Sequence, residues 1–313
     1  MRRHLRPKTF AILLCAGALA LVAYAAWLHL WAGTPRPAGG SDAVWAWWRL
    51  LSGIAVLNIV AWTASALLLL KWDAPLRRGT LALPWAQLLL SAAYVFGCAF
   101  RSFLPRVDVS KAALIDSPLS TVFIGRSVAT VAEICFAVQW ALLLHALSRR
   151  AEDAAFARVV SLLIVPLIVL AEACSWYAVI TTSYVGNVVE ESLWALSAAL
   201  AVAAILTLWR HFRAYRFLFP SVVLLGTGYV LYMCAVDVPM YMLRWMEQLA
   251  SGHVPLGFGE GLADLASRWV VDASWETWRS EIPWMTLYFS VAVWSSIALI
   301  HVAWFEQAEK KIA

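Results

Sequence analysis

Eight stretches of this chain stay apolar for longer than the roughly 20 residues that one bilayer crossing requires. They are Phe10 to Ala32, Val44 to Leu70, Leu83 to Leu104, Thr121 to Leu147, Arg158 to Ile180, Val188 to Trp209, Pro220 to Met246 and Pro283 to Phe305. In lipid every backbone N–H and C=O must be satisfied within the protein, and runs of this length without strand-like polar alternation do that only as helices. The expected fold is therefore all-α, a polytopic transmembrane helical bundle of about eight spans that forms a single membrane domain over residues 1–313. Composition agrees: 63% of residues are hydrophobic and 14% charged, against about 45–50% and 25% in soluble domains. Span starts carry ordinary helix-start chemistry, with Pro84, Pro220 and Pro283 close to them and Ser117 before Pro118 reading as an N-cap followed by the first helical residue.

Two readings fit the first run. Arg2, Arg3, Arg6 and Lys8 ahead of an apolar core and the small residues Ala23, Ala25 and Ala26 have the form of a cleaved signal peptide. The apolar stretch, however, continues through Trp27, Leu28, Leu30 and Trp31, beyond the roughly 7–15 residues of a signal core. We read it as a span.

A net charge of +5 would suggest nucleic acid as a partner in a soluble protein, but the basic residues here fall at the ends of apolar runs and report orientation instead. Fifteen Lys and Arg lie on the side that holds Arg2, Lys71, Arg149, Arg213 and Lys310, and eight on the side that holds Arg36, Arg106, Arg244 and Arg268. By the positive-inside rule both termini are expected to be cytoplasmic, and the expected location is the inner (plasma) membrane. No nucleic-acid partner is expected. Most of the 19 tryptophans flank spans, as interfacial anchors do.

The one sizeable connection, Glu247 to Ile282, falls on the outer side. Leu262, Leu265 and Trp269, then Val271, Trp275, Trp278 and Ile282, recur at three-and-four spacing with charged residues between them. That pattern predicts one or two short amphipathic helices on the outer membrane face.

Ionisable groups inside lipid are costly and are by default candidates for function. The fourth span carries Arg126 and Glu133, the fifth Glu172, the sixth Glu190 and Glu191, and the seventh Asp237, while Arg101 closes the third as a possible phosphate or anion contact. At about 1.5 Å per residue, Arg126 lies roughly 8 Å below the outer end of its span, Glu172 about 12 Å, Asp237 about 14 Å and Glu133 about 18 Å. Arg126 and Glu133 share a helix face, yet two turns separate them by about 10 Å along the axis. A third group or a water is expected between them. Asn187 three residues before Glu190 resembles a capping box, which would assign Glu190 to the helix start and leave Glu191 to face the polar cluster. Asp237 precedes Pro239 by two, and carbonyls freed by the proline beside a carboxylate suit a cation or proton.

Polar and aromatic groups are densest at Phe100 to Val109, Gly125 to Trp140 and Glu172 to Trp194. No CxxC pair, no GxSxG elbow and no lysine within a span is present, so neither a metal nor a cofactor is called for. The partners expected are the lipid bilayer and a small solute, ion or lipid, with oligomeric state open. Three functions fit these residues. The first is an outward-facing site in the fourth to seventh spans that binds or transports a proton, cation or small cationic or amphipathic solute, with Glu133, Glu172, Glu191 and Asp237 holding charge and Arg126 tuning them. The second is a membrane enzyme acting on a lipid or lipid-linked substrate, with Glu172 or Glu133 as base and Arg126 or Arg101 on a phosphate. The third is a non-catalytic scaffold in which the charges fix helix register.

Overall fold

The structure is a computed structural model that describes residues 40–76, 82–212, 218–267 and 269–312. The first expected span, Phe10 to Ala32, lies outside the described residues. Long helices dominate the rest: α1 (Asp42–Leu76), α2 (Ala82–Phe103), α3 (Val122–Ser148), α4 (Ala155–Thr181) and α5 (Val185–Trp209). Next comes a rod made of α6 (Leu218–Tyr232), a π turn at Met233–Asp237 and α7 (Val238–Ala250). After the short α8 (Phe258–Ser267) and α9 (Trp275–Trp278), a last rod comprises α10 (Glu281–Leu287), a π turn at Tyr288–Ala292 and α11 (Val293–Ile312). Among the described residues, seven of these helices and rods are long and apolar enough to cross a membrane, and they match the second to eighth expected spans.

Both π turns have local causes. In the sixth span's successor, the Val238 N–H reaches back five residues to the Met233 carbonyl, and Pro239 has no N–H with which to continue the ladder. In the last rod, Asn58 of α1 donates to the Phe289 carbonyl at 2.8 Å and accepts from the Trp294 indole at 2.8 Å. Side chains of a neighbouring helix thus satisfy backbone that the π turn sets free.

Consecutive helices from α1 to α6 pack side by side, and α11 returns to lie on α2, with further contact to α1 and α3. Trp48, Leu51, Ile59 and Trp62 of α1 meet Tyr94 and Phe103 of α2 and Phe289 of the last rod in the larger core. A polar clasp fixes the register of three helices. Gln87 and Gln139 each donate to the other's backbone carbonyl, at 2.9 and 3.1 Å, and the Ser296 hydroxyl donates to Gln139 Oε1 at 2.6 Å.

The rod α6–α7 is different, because only 11% of its most apolar window is buried, against 28–56% in the other six spans. It clings to α5, where a Cβ on Gly226 would collide with Val202. The backbones therefore approach closely at that point. Residues of this rod and of the last one line one cavity between them, and the Arg244–Glu281 ion pair joins the two rods at 2.8 Å.

One end of the bundle is closed by structure that helical periodicity does not reveal. The α2–α3 connection forms β1 (Arg106–Val107) and β2 (Ala112–Ala113), which pair antiparallel, and β3 (Val270–Val271) from the last connection adds in parallel beside β2. Val271 is thus strand and not the continuation of an amphipathic helix. Of the expected helices, α8 and the four-residue α9 form on either side of it. The open edge of β2 offers unpaired backbone groups, and two adjacent β-branched valines suit them. Further ties hold this cover down: the Lys111–Asp264 ion pair, the Trp269 indole on Asp116 at 3.1 Å, and the Leu256 amide on the Thr181 carbonyl at 2.9 Å.

Candidate functional site

Arg126 sits one turn into α3 and is 5% exposed. Its Nη2 lies 2.7 Å from Glu172 Oε2 of α4, 3.1 Å from Glu190 Oε1 of α5 and 3.2 Å from Glu133 Oε2 of its own helix. The expected gap between Arg126 and Glu133 is closed directly, without a third group. Side chains on a helix lean toward its N-terminus, so Glu133 reaches back while the long arginine reaches forward, and together they span two turns.

Glu190 also departs from expectation. The helix starts at Val185 with Tyr184 at its cap position, so Asn187 lies inside the first turn and caps nothing. Instead Asn187 donates to Glu190 Oε2 at 2.9 Å and turns the other carboxylate oxygen toward Arg126. The glutamate assigned to capping is one of the three acids on the arginine. Glu172 is held in turn by the Thr130 hydroxyl at 2.7 Å, and Thr130 accepts from the Trp176 indole at 3.0 Å.

Carboxylate oxygens of Glu133, Glu172 and Glu190 all lie within 4.8 Å of one another, a spacing that could hold a metal ion. Here the arginine nitrogen is bonded to all three and takes the position an ion would need. The donor set therefore fits a guanidinium. It does not fit a metal as well.

Toward the sheet end a second cluster adjoins the first. Asp108, just after β1, accepts from Arg106 Nε at 2.8 Å and lies 3.6 Å from Arg101 Nη2 and 3.7 Å from Arg126 Nη1. Burial alone would raise the Asp108 carboxyl, but Arg101, Arg106 and Arg126 together hold it down at about 2. Burial pulls the Arg106 guanidinium down to about 10 against the pull of Asp108, which leaves it a cation at neutral pH. Arg106 also donates to the Thr121 carbonyl at 2.7 Å. Its guanidinium lies flat against Gly125, where a Cβ would occupy the same space. Arg101, read from the sequence as a possible anion contact, is thus engaged by a carboxylate of the chain itself.

Both clusters line one cavity of about 510 Å³, within the usual range of about 300–1,000 Å³ for small-molecule sites. Glu191 and Asp237 line it as well, from α5 and the π turn, and so do Arg244 and Glu281, which pair at 2.8 Å. Of the residues expected at a site, Arg126, Glu133 and Glu172 form one bonded network. Glu191 and Asp237 face the same cavity without joining that network, and neither has a hydrogen bond or ion pair among the described residues. Sequence reasoning missed Arg106, Asp108, Arg244 and Glu281, although the polar density at Phe100 to Val109 marked the first two. His145 and His301 each face a serine of a neighbouring helix, Ser161 at 3.3 Å and Ser65 at 2.9 Å.

No protein-family model matches the chain, and no curated protein or solved structure matches it either.

Proposed function

We propose that this is an inner-membrane protein whose cavity, in the outer part of the bundle beneath the strand cover, binds a cationic solute in exchange for protons held on the Arg126 carboxylate cluster. One observation carries this reading. A guanidinium nitrogen has two hydrogens, and Arg126 Nη2 faces three carboxylates, so one of them lacks a hydrogen from it. Among the residues lining the cavity, six acids (Asp108, Glu133, Glu190, Glu191, Asp237 and Glu281) stand against four arginines (Arg101, Arg106, Arg126 and Arg244). Glu172 adds a seventh acid behind them. Unbalanced negative charge in a low-dielectric site calls for a proton or a cation.

The enzyme reading has less support. Thr130 and Glu172 form a hydroxyl–carboxylate pair, as a nucleophile and base would, but neither lines the cavity and Trp176 clamps the hydroxyl. We read that pair as a prop for the cluster.

The carboxyl protonation can be tested by infrared difference spectroscopy between pH 5 and 9. A buried carboxylic C=O band should titrate, and it should vanish or shift in Glu133→Gln, Glu172→Gln or Glu190→Gln. A spectrum with no such band in any background would mean that every acid is ionised, and the proton-exchange reading would be wrong.

Orientation is tested separately. The cover of strands and short helices belongs to the side with fewer basic residues, so reporter fusions near Trp275 should report the outer side and fusions near Ala151 the cytoplasm. The reverse pattern would turn the cavity inward.

A further inference from the structure

We propose that the ligand is a single-chain amphiphile with an alkylammonium head, which slips in sideways from the bilayer between the α6–α7 rod and the last rod. The proposal rests on the cation-binding reading and names the class of cation. Three features of the cavity lead to it.

The first is the chemistry around the unpartnered acids. Asp237 is 94% buried by its 6% exposure, lines the cavity, and has no hydrogen bond or ion pair among the described residues. Tyr229, Tyr232 and Tyr241 stand within electrostatic range of it and line the same space, joined by Trp284. Aromatic faces around carboxylates recognise ammonium groups that carry carbon substituents, through cation–π attraction with charge pairing. The arginines do not offset this preference. Arg101, Arg106 and Arg126 are committed to Asp108 and the three glutamates, while Arg244 is committed to Glu281 and lies over Tyr184 and Tyr241 at 5.7 and 5.3 Å. Beside Asp237 an anionic head would meet a carboxylate, and Arg244, the cation nearest to it among the lining residues of that rod, is already paired with Glu281.

The second feature is that the cavity continues past the acids into an apolar trough walled by Ile164, Ile168, Val202, Ile205 and Val222. A small hydrated cation gains nothing from such a wall. A hydrocarbon chain does, by the removal of apolar surface from water.

The third feature is the side opening. Leu224 and Leu225 of α6 line the cavity and are also 73% and 57% exposed, so the trough reaches the lipid-facing surface. Across the cavity, Ala292 and Ser295 of the last rod are small. A chain already dissolved in the bilayer can enter there without crossing water.

The test is equilibrium binding to the purified full-length protein in neutral maltoside micelles, with protein-free micelles subtracted. Decyltrimethylammonium should bind saturably at one site, tetramethylammonium should compete at least about 100-fold more weakly for lack of a chain, and decyl sulfate should not compete. Asp237→Asn with Glu191→Gln should weaken decyltrimethylammonium binding at least about 10-fold. Leu225→Trp, on the exposed wall, should weaken it while leaving tetramethylammonium binding unchanged, a split that misfolding would not produce. Equal binding of the two cations would overturn the chain-bearing ligand and leave the cation reading standing. Competition by decyl sulfate would overturn the ammonium head. Binding of neither cation would take the underlying reading down as well.

Discussion

Replacing Arg126 with Met is expected to remove most of the folded protein, and replacing Glu133, Glu172 and Glu190 with Gln in the same chain is expected to restore much of it. Arg126 Nη2 is the shared partner of three buried carboxylates, and Nη1 reaches toward a fourth on Asp108. Deleting one partner of a buried ion pair costs about 3–5 kcal/mol because the other charge remains in low dielectric. Here three remain. Total stabilities of about 5–15 kcal/mol leave little margin for such a loss. Arg126→Lys should fall between, since a lysine keeps the charge but not the planar fork that meets several acceptors. Thermal unfolding in detergent would measure all of these variants. An Arg126→Met protein as stable as the parent would mean that the acids are solvated or neutral without it, and the network described here would carry no weight.

The second large effect is expected at Asp108. It joins Arg101, Arg106 and Arg126, so Asp108→Asn leaves three neighbouring cations without their common counterion and should cost about 3–5 kcal/mol. Gly125→Ala should resemble it more mildly, because the new Cβ displaces the Arg106 guanidinium that holds Asp108. The parent protein should show the same contact as pH dependence. The folded carboxyl is held at about 2 against an ordinary value of 3.8, so its contribution is fully present above roughly pH 4 and disappears as pH falls toward 2. At 1.36 kcal/mol per unit that component amounts to about 2 kcal/mol. An acid unfolding profile that is the same in the parent and in Asp108→Asn would contradict it.

The bundle was legible because lipid imposes one requirement on every residue of a span, and each apolar run displays it locally. The run Leu83 to Leu104 became α2 at Ala82–Phe103, and Thr121 to Leu147 became α3 at Val122–Ser148. The intramembrane acids were legible for the same reason, since a charge in such a run is conspicuous. Charges in connections are not. Arg106 and Asp108 look like solvated loop residues until the start of α3 receives the Arg106 guanidinium at the Thr121 carbonyl and against Gly125, and β1 folds back on β2. Two-residue strands carry no periodicity from which to read them. Glu190 was misassigned because the Asn-x-x-Glu spacing fits a cap equally well wherever the helix begins, and the start at Val185 is set by tertiary packing, where a Cβ on Gly186 would strike the Cys174 carbonyl and Ala178.

The parallel pairing of β2 with β3 imposes an order on biogenesis. Asp108 and its arginines, from the end of α2, the connection and the first turns of α3, are synthesised early, yet the strand that completes the sheet arrives only after the α6–α7 rod has been threaded and its trailing segment delivered to the same side of the bundle. Until then the sheet end lacks its third strand and the tie from Lys111 to Asp264. The last rod follows β3 directly and packs back onto α1 and α2, so the sheet and the core are completed together. A nascent chain arrested before Val270 would be an inserted protein whose sheet end is unfinished.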